Sequence, residues 1–119
     1  MSVVLKRIYD EDQETGGYRV LVDGIWPRGI KKEDANLDEW MDGISPSKEL
    51  HQWFNHDPEK FEEFKKLYTE QIEESKERKK LLDKLIEKAD GNRVVLLFGA
   101  KDEEHNQAVV IKELMEKKG

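Results

Sequence analysis

The sequence predicts an α/β fold, a small open sandwich in which helices flank a short, mainly parallel sheet of three to four strands. Short β-branched segments at residues 3–8, 18–23 and 94–98 have the length and composition of strands. The stretches between and after them place apolar residues at the 3.6-residue spacing of amphipathic helices. Because 119 residues form one core but not two, we predict a single domain over residues 1–119.

The three predicted strands differ in their settings. Residues 94–98 contain no polar side chain, so we expect them in the middle of a parallel sheet, buried on both faces. Residues 18–23 lead into the Trp-Pro-Arg-Gly sequence at 26–29, where proline fixes the backbone and makes a rigid loop. The connection between the first two strands is about nine residues, shorter than a parallel crossover normally needs, so the direction of the first strand stays open.

Helical periodicity recurs along the rest of the chain. The predicted helices span residues 37–44, 45–54, 57–72, 81–91 and 103–117. Asp57-Pro58 is a clear start signal, because aspartate caps free N–H groups and proline fits the first helical turn. The almost wholly charged run at 73–80 is typical of a solvated helix face or a junction between helices.

Composition excludes several classes of function. The net charge of -6 disfavours nucleic-acid binding, which depends on cations that neutralise phosphates. No signal-like segment begins the chain, and no apolar run approaches the ~20 residues of a membrane span. We therefore expect a cytoplasmic protein that does not enter a membrane. With no cysteine, the chain has no disulfide or thiolate nucleophile. The sequence identifies neither a cofactor nor an oligomeric state.

Polar side chains follow two of the predicted strands. Groups beyond the carboxyl ends of parallel strands converge on one crevice, which is where such folds bind ligands. The sequence therefore predicts a shared site, formed by the following residues: Asp23, Arg28, Lys101, Asp102, His105 and Asn106.

Each of these residues has a chemical role and a structural alternative. Arg28 and Lys101 suit an anion clamp, although Arg28 could pin its own loop. His105 suits a general acid or base, since the first turn of the predicted final helix favours neutral imidazole. Asp23 and Asp102 are the candidate carboxylates that orient a cation or water. Alternatively, Asp102 caps the helix and Asp23 forms a salt bridge with Arg28 or Lys101.

Further candidates for ligand contact are Asn106, His56 and two tryptophans. Asn106 either orients a ligand or faces water, and Trp26 and Trp53 form either the wall of the site or the core. The histidines at 51, 56 and 105 raise the question of a metal ion. We predict no metal site, because His51 and His56 do not have the spacing of a helical ligand pair.

Several blocks of sequence resemble a known family. They are Tyr18-Arg-Val-Leu-Val-Asp, Trp26-Pro-Arg-Gly, Trp53-Phe-x-His-Asp-Pro and Ala100-Lys-Asp-Glu-Glu-His-Asn-x-Ala. In order and over almost the whole chain, these blocks resemble the YeaO-like proteins, a family of unknown function (DUF488). The resemblance implies a small cytosolic α/β domain with characteristic polar residues and no assigned reaction. Family members usually carry arginine at the positions of Gly24 and His51, so two cations are absent here.

Two functional hypotheses follow. In the first, the chain is an enzyme that performs hydrolysis or proton transfer on a small anionic or nucleotide-like substrate. In the second, it is a non-catalytic module that binds a small ligand or a protein partner. No nucleophile with a recognisable base is visible in the sequence, so both hypotheses stay open.

Overall fold

The structure is a computed structural model that describes residues 1–10 and 16–119. The strands are β1 (Ser2–Arg7), β2 (Tyr18–Leu21), β3 (Glu39–Trp40) and β4 (Arg93–Phe98). The helices are α1 (Lys32–Ala35), α2 (Lys48–Phe54), α3 (Phe61–Glu74), α4 (Lys76–Ala89) and α5 (Gln107–Lys118). Part of the predicted link between the first two strands, residues 11–15, lies outside the described residues.

The four strands form one parallel sheet in the order β1-β4-β2-β3. Strand β4 lies between β1 and β2, and residues 94–98 are all buried, which confirms their predicted central position. The direction of the first strand, open from the sequence, is parallel to β4, with Val3 opposite Val94. The predicted α/β class, with a parallel sheet flanked by helices, is therefore confirmed.

The helix predicted at residues 37–44 is wrong. Helix α1 ends at its C-cap Asn36, which has a left-handed φ of 52°. The chain then pairs with β2 as the two-residue strand β3. Asp38 N–H donates to Arg19 O at 2.9 Å, and Met41 N–H donates to Leu21 O at 2.8 Å. These N–H groups donate to carbonyl groups at the edge of the sheet, so they are not available for the hydrogen bonds of a helical turn.

The other helix predictions are largely confirmed. The side-chain oxygen of Ser47 caps α2, and Asp57 with Pro58 precedes α3. The predicted stripe of Phe61, Phe64, Tyr68 and Ile72 is buried. Ser75 separates α3 from α4 within the charged run, so that run contains a helix junction.

The two faces of the sheet are covered unequally. One face packs against helices and forms the larger core, which includes Val20, Leu96 and Phe98. The other face holds a small cluster around Leu21 and Leu97 and is covered by the chain after β2. No helix in the described residues is both apolar and long enough to cross a membrane.

The final helix begins at Gln107, four residues later than predicted. Asn106 is its N-cap, with extended backbone at φ -151°, and its side chain accepts from Val109 N–H. Residues 102–105 form a separate turn, because Asp102 Oδ1 accepts from the N–H groups of Glu104 and His105. The carboxylate thus holds a tight turn before the helix, so the alternative in which Asp102 caps the final helix is wrong.

Candidate functional site

A cleft of about 940 Å³ opens at the carboxyl ends of β1, β2 and β4. The described residues that line it after these strands are Tyr9, Asp23, Gly24, Ile25, Pro27, Gly99, Ala100, Lys101 and Asp102. Those that line it from the helical side are Ser45, Pro46, Lys48, His51, His56 and Gln107. A crevice at this edge of a parallel sheet is the usual ligand position for the fold class.

Asp23 is the most perturbed carboxyl group of the cleft. Its Oδ2 accepts from Gly99 N–H at 2.8 Å, and its Oδ1 accepts from the side-chain amide of Gln107. Desolvation raises the pKa of Asp23 to about 6, although these two hydrogen bonds act in the opposite direction. The predicted alternative of a salt bridge with Arg28 or Lys101 is wrong, because the partners of Asp23 are neutral amides.

Four basic or imidazole side chains line the same cleft: Lys48, His51, His56 and Lys101. The two imidazole rings lie 5.6 Å apart in an edge-to-face arrangement. They meet because α2 ends in two consecutive left-handed residues, Asn55 at φ 45° and His56 at φ 57°. Partial desolvation and repulsion from His56 lower the pKa of His51.

The spacing of His51 and His56 did not predict this proximity, since it comes from the turn after α2. No third metal-ligating side chain joins the two imidazoles among the residues that the structure describes. The pair therefore adds polar, protonatable groups to the cleft wall.

Tyr9 forms an aromatic wall of the cleft, and sequence reasoning missed it. Its hydroxyl donates to Arg28 O at 2.9 Å, and the guanidinium of Arg7 lies 4.9 Å from its ring centroid. The ring is fixed by these contacts, yet the residue is 42% exposed. The strand-end rule that led to Asp23 would have led to Tyr9 as well, because Tyr9 follows β1 much as Asp23 follows β2 and Gly99 follows β4.

Asp102, His105 and Asn106 form a hydrogen-bonded turn beside the cleft. His105 Nδ1 lies 2.9 Å from Asp102 Oδ2, and the imidazole packs edge-to-face on Phe61 at 5.1 Å. The prediction that His105 lies in the first helical turn is wrong, since it precedes the N-cap. Of this group, only Asp102 lines the cleft.

Asn106 is 1% exposed, so the alternative in which it faces water is wrong. Its amide group donates to Asp102 O at 2.8 Å while its oxygen caps α5. Both ends of the side chain are therefore used inside the protein, and Asn106 is not among the residues that line the cleft.

Three other candidates lie outside the residues that line the cleft: Arg28, Trp26 and Trp53. Arg28 is exposed, and its carbonyl holds Tyr9 in place. Trp26 packs on the smaller core cluster and donates from Nε1 to Ile30 O at 2.7 Å. Trp53 is 41% exposed, with the ammonium of Lys60 5.1 Å from its ring centroid. The structure thus brings together Asp23, His56, Lys101 and Asp102 from the predicted set.

The two positions at which the resemblance led us to expect arginine, Gly24 and His51, both line the cleft. A Cβ at Gly24 would lie only 2.8 Å from Ser45 Oγ, so glycine lets that hydroxyl approach the backbone more closely than a larger residue would. The two positions therefore belong to the same cavity, even though they are far apart in sequence.

The chain belongs to the DUF488 family of YeaO-like proteins. Residues 2–118 match the family model described as the inactive DUF488-N3 subclade. Over 111 residues the chain is 37% identical to the uncharacterized protein YeaO of Escherichia coli K12, covering 93% of this chain and 94% of that protein. It is also 44% identical over 73 residues to the uncharacterized protein Rv3073c of Mycobacterium tuberculosis H37Rv, covering 61% of this chain and 62% of that protein. No solved structure matches the chain.

Proposed function

We propose that this protein binds a small anionic, nucleotide-like ligand in the cleft without converting it. The observation that carries this proposal is the charge pattern of the cleft. A desolvated carboxyl group, Asp23, shares one cavity with Lys48, Lys101 and two imidazoles. Such a cavity offers acceptors for the N–H groups of a ligand and cationic partners for its anionic group.

The size and walls of the cleft support the same proposal. Its volume of about 940 Å³ falls near the upper end of typical small-molecule sites. Tyr9, Ile25, Pro27 and Pro46 supply apolar surface beside the polar groups. A ligand with a flat ring and one charged substituent would use both kinds of surface.

Two observations favour binding over catalysis. The hydroxyl group of Ser45 donates to Asp42 O at 2.7 Å, and that of Tyr9 donates to Arg28 O, so neither is paired with a base. The subclade whose model the chain matches is described as inactive. Both observations support a cleft that retains a ligand-binding shape without an activated nucleophile.

Proton transfer by Asp23 is the second candidate function. A carboxyl group with a pKa of about 6 exchanges protons readily near neutral pH, as a general acid or base must. This candidate uses the same cleft and ligand class but requires that the ligand be changed. Incubation of a bound ligand with the protein, followed by mass spectrometry, separates the two: unchanged ligand supports binding alone, and a protein-dependent product contradicts it.

The binding proposal is tested by calorimetry with nucleoside monophosphates and inorganic phosphate. We expect the double variant Lys48→Ala/Lys101→Ala to weaken nucleotide binding about tenfold, since each exposed ion contact contributes up to about 1 kcal/mol. Lys66→Ala, on the exposed surface of α3, is the matched control and should bind like the unaltered protein. If no nucleotide binds at millimolar concentration, or if the double variant binds equally well, the proposal is wrong.

A further inference from the structure

Asp23 and Gln107 together present hydrogen-bond acceptors at the floor of the cleft. Gly99 N–H and the Gln107 amide use one acceptor position on each carboxylate oxygen, and an ionised carboxylate has about four such positions. Gln107 also lines the cleft, and it directs its NH₂ group at Asp23, so its carbonyl oxygen is the end of the amide that does not contact Asp23. That oxygen has no hydrogen bond to a donor among the described residues.

The ring of Tyr9 lies beside these acceptors. A Cβ at Gly99 would be 3.0 Å from Asp23 Oδ2 and 3.6 Å from Tyr9 Cε2, so carboxylate and ring flank the same glycine. The ring is held at its hydroxyl by Arg28 O and at its face by Arg7. A rigid, partly exposed aromatic ring next to a carboxylate is a suitable surface for stacking a nucleobase.

Given the proposed function, we propose that the ligand presents two adjacent N–H donors of a guanine-type ring to the carboxylate of Asp23. The ring then stacks on Tyr9, and the phosphate lies toward the lysines of the cleft. Parallel donation of two N–H groups to one carboxylate is a strong and geometrically specific contact. The desolvation of Asp23 strengthens it, since a carboxylate with little water gains more from a donor.

Other bases fit this floor less well. Adenine and cytosine place a ring-nitrogen acceptor next to their amino group, and that acceptor would face the carboxylate and be repelled. Uracil has one N–H between two carbonyl groups. A free guanidinium group has the same pair of donors as guanine, but its positive charge is disfavoured by Lys48 and Lys101. The cations of the cleft therefore favour the nucleotide as the source of the donor pair.

Calorimetry at about pH 7 with guanosine, adenosine and xanthosine monophosphates and with agmatine, a guanidinium compound, tests this inference. We expect guanosine monophosphate to bind at least about tenfold more tightly than the other three. In Asp23→Asn, the preference should change to xanthosine monophosphate, because an amide offers one acceptor and one donor. Asp83→Asn, at an exposed aspartate on α4, should leave the preference unchanged.

Equal binding of the guanine and adenine nucleotides, or tighter binding of agmatine, would overturn this inference and leave the proposed function standing. Failure of every nucleotide to bind would overturn both. A second pair of variants does not depend on Asp23. Tyr9→Leu should weaken binding of guanosine monophosphate about tenfold, whereas Tyr9→Phe keeps the ring and should stay within about threefold. Equal affinities for these two variants would remove the stacking contact from the inference.

Discussion

Asp23 and Asp102 occupy comparable positions and behave in opposite ways. Each follows a neighbouring strand of the parallel sheet, β2 or β4, and each lines the same cleft. Desolvation raises the pKa of Asp23 to about 6. The pKa of Asp102 is lowered, first by the N–H of Glu104 and then by its bonds to His105.

The difference lies in what surrounds each carboxylate. Asp102 accepts two backbone N–H bonds and an imidazole N–H, and it stays in contact with water. Asp23 has two amide partners but little water, so part of its acceptor capacity is unused. A strand-end carboxylate therefore indicates a ligand contact only when the protein leaves its charged form incompletely solvated. By that criterion, Asp102 holds a turn and Asp23 is the carboxylate that the proposed ligand would contact.

The largest expected effect is stabilisation by Asp23→Asn. The folded pKa of about 6 exceeds the unfolded value near 3.8, so stability is fully present below the unfolded pKa and is lost as pH rises through about 6. Asparagine carries no charge, and Gln107 can turn its amide to keep their hydrogen bond. We expect the variant to raise the free energy of unfolding by up to about 3 kcal/mol at pH 7 and to have little effect near pH 3.5. Urea unfolding at both pH values measures this change.

Asp83→Asn is the matched control for the loss of a carboxylate. Because Asp83 is exposed on α4, this variant should be within about 0.5 kcal/mol of the unaltered protein at both pH values. A loss of stability in Asp23→Asn at pH 7 would show that ionised Asp23 is a structural group, and a gain that does not depend on pH would show that the desolvated charge is not the cause. The contrast with Asp102 would then disappear.

A smaller effect of opposite sign is expected at Asp102. Asp102→Ala removes the acceptor for two backbone N–H groups, and we expect it to lower the free energy of unfolding by about 1–2 kcal/mol at pH 7. Asp102→Asn keeps an acceptor and should lose much less. Because the pKa of Asp102 is lowered, its stabilisation is present above the unfolded pKa near 3.8 and is lost as acid protonates it. If alanine is tolerated at pH 7, Asp102 is not the residue that holds the turn.

Sequence patterns correctly predicted the strands and helices that are specified by residues close together in the chain. The apolar run of β4, the stripe from Phe61 to Ile72 and the Asp57-Pro58 start signal are readable within a few residues of sequence. β3 is not, because Glu39 and Trp40 pair with Val20 and Leu21. Their apolar spacing also fits a helix, and only contacts across the sheet decide between the two.

The position of the cleft could be predicted from the sequence, but only some of the residues that line it could. The rule for strand ends led to Asp23, Lys101 and Asp102, and applied to β1 it would also have led to Tyr9. Lys48 and His51 reach the cleft through the packing of α2, which no local pattern encodes. Gln107 could not be chosen either, since its contact with Asp23 joins residues 84 positions apart. The cleft residues that could be identified only from the tertiary structure, Lys48, His51 and Gln107, are therefore ones that lie on helices.

The smallest expected effect on stability separates Lys101 from its neighbour His105. Lys101 is exposed and forms no ion pair with a described residue, so Lys101→Ala should change the free energy of unfolding by less than about 0.5 kcal/mol. His105→Ala removes the contact with Phe61 and the bond to Asp102, and should cost about 1 kcal/mol. Thermal unfolding of both variants measures the difference. Equal destabilisation by the two substitutions would mean that Lys101 also supports the turn, and would count against its place among the proposed ligand-binding residues.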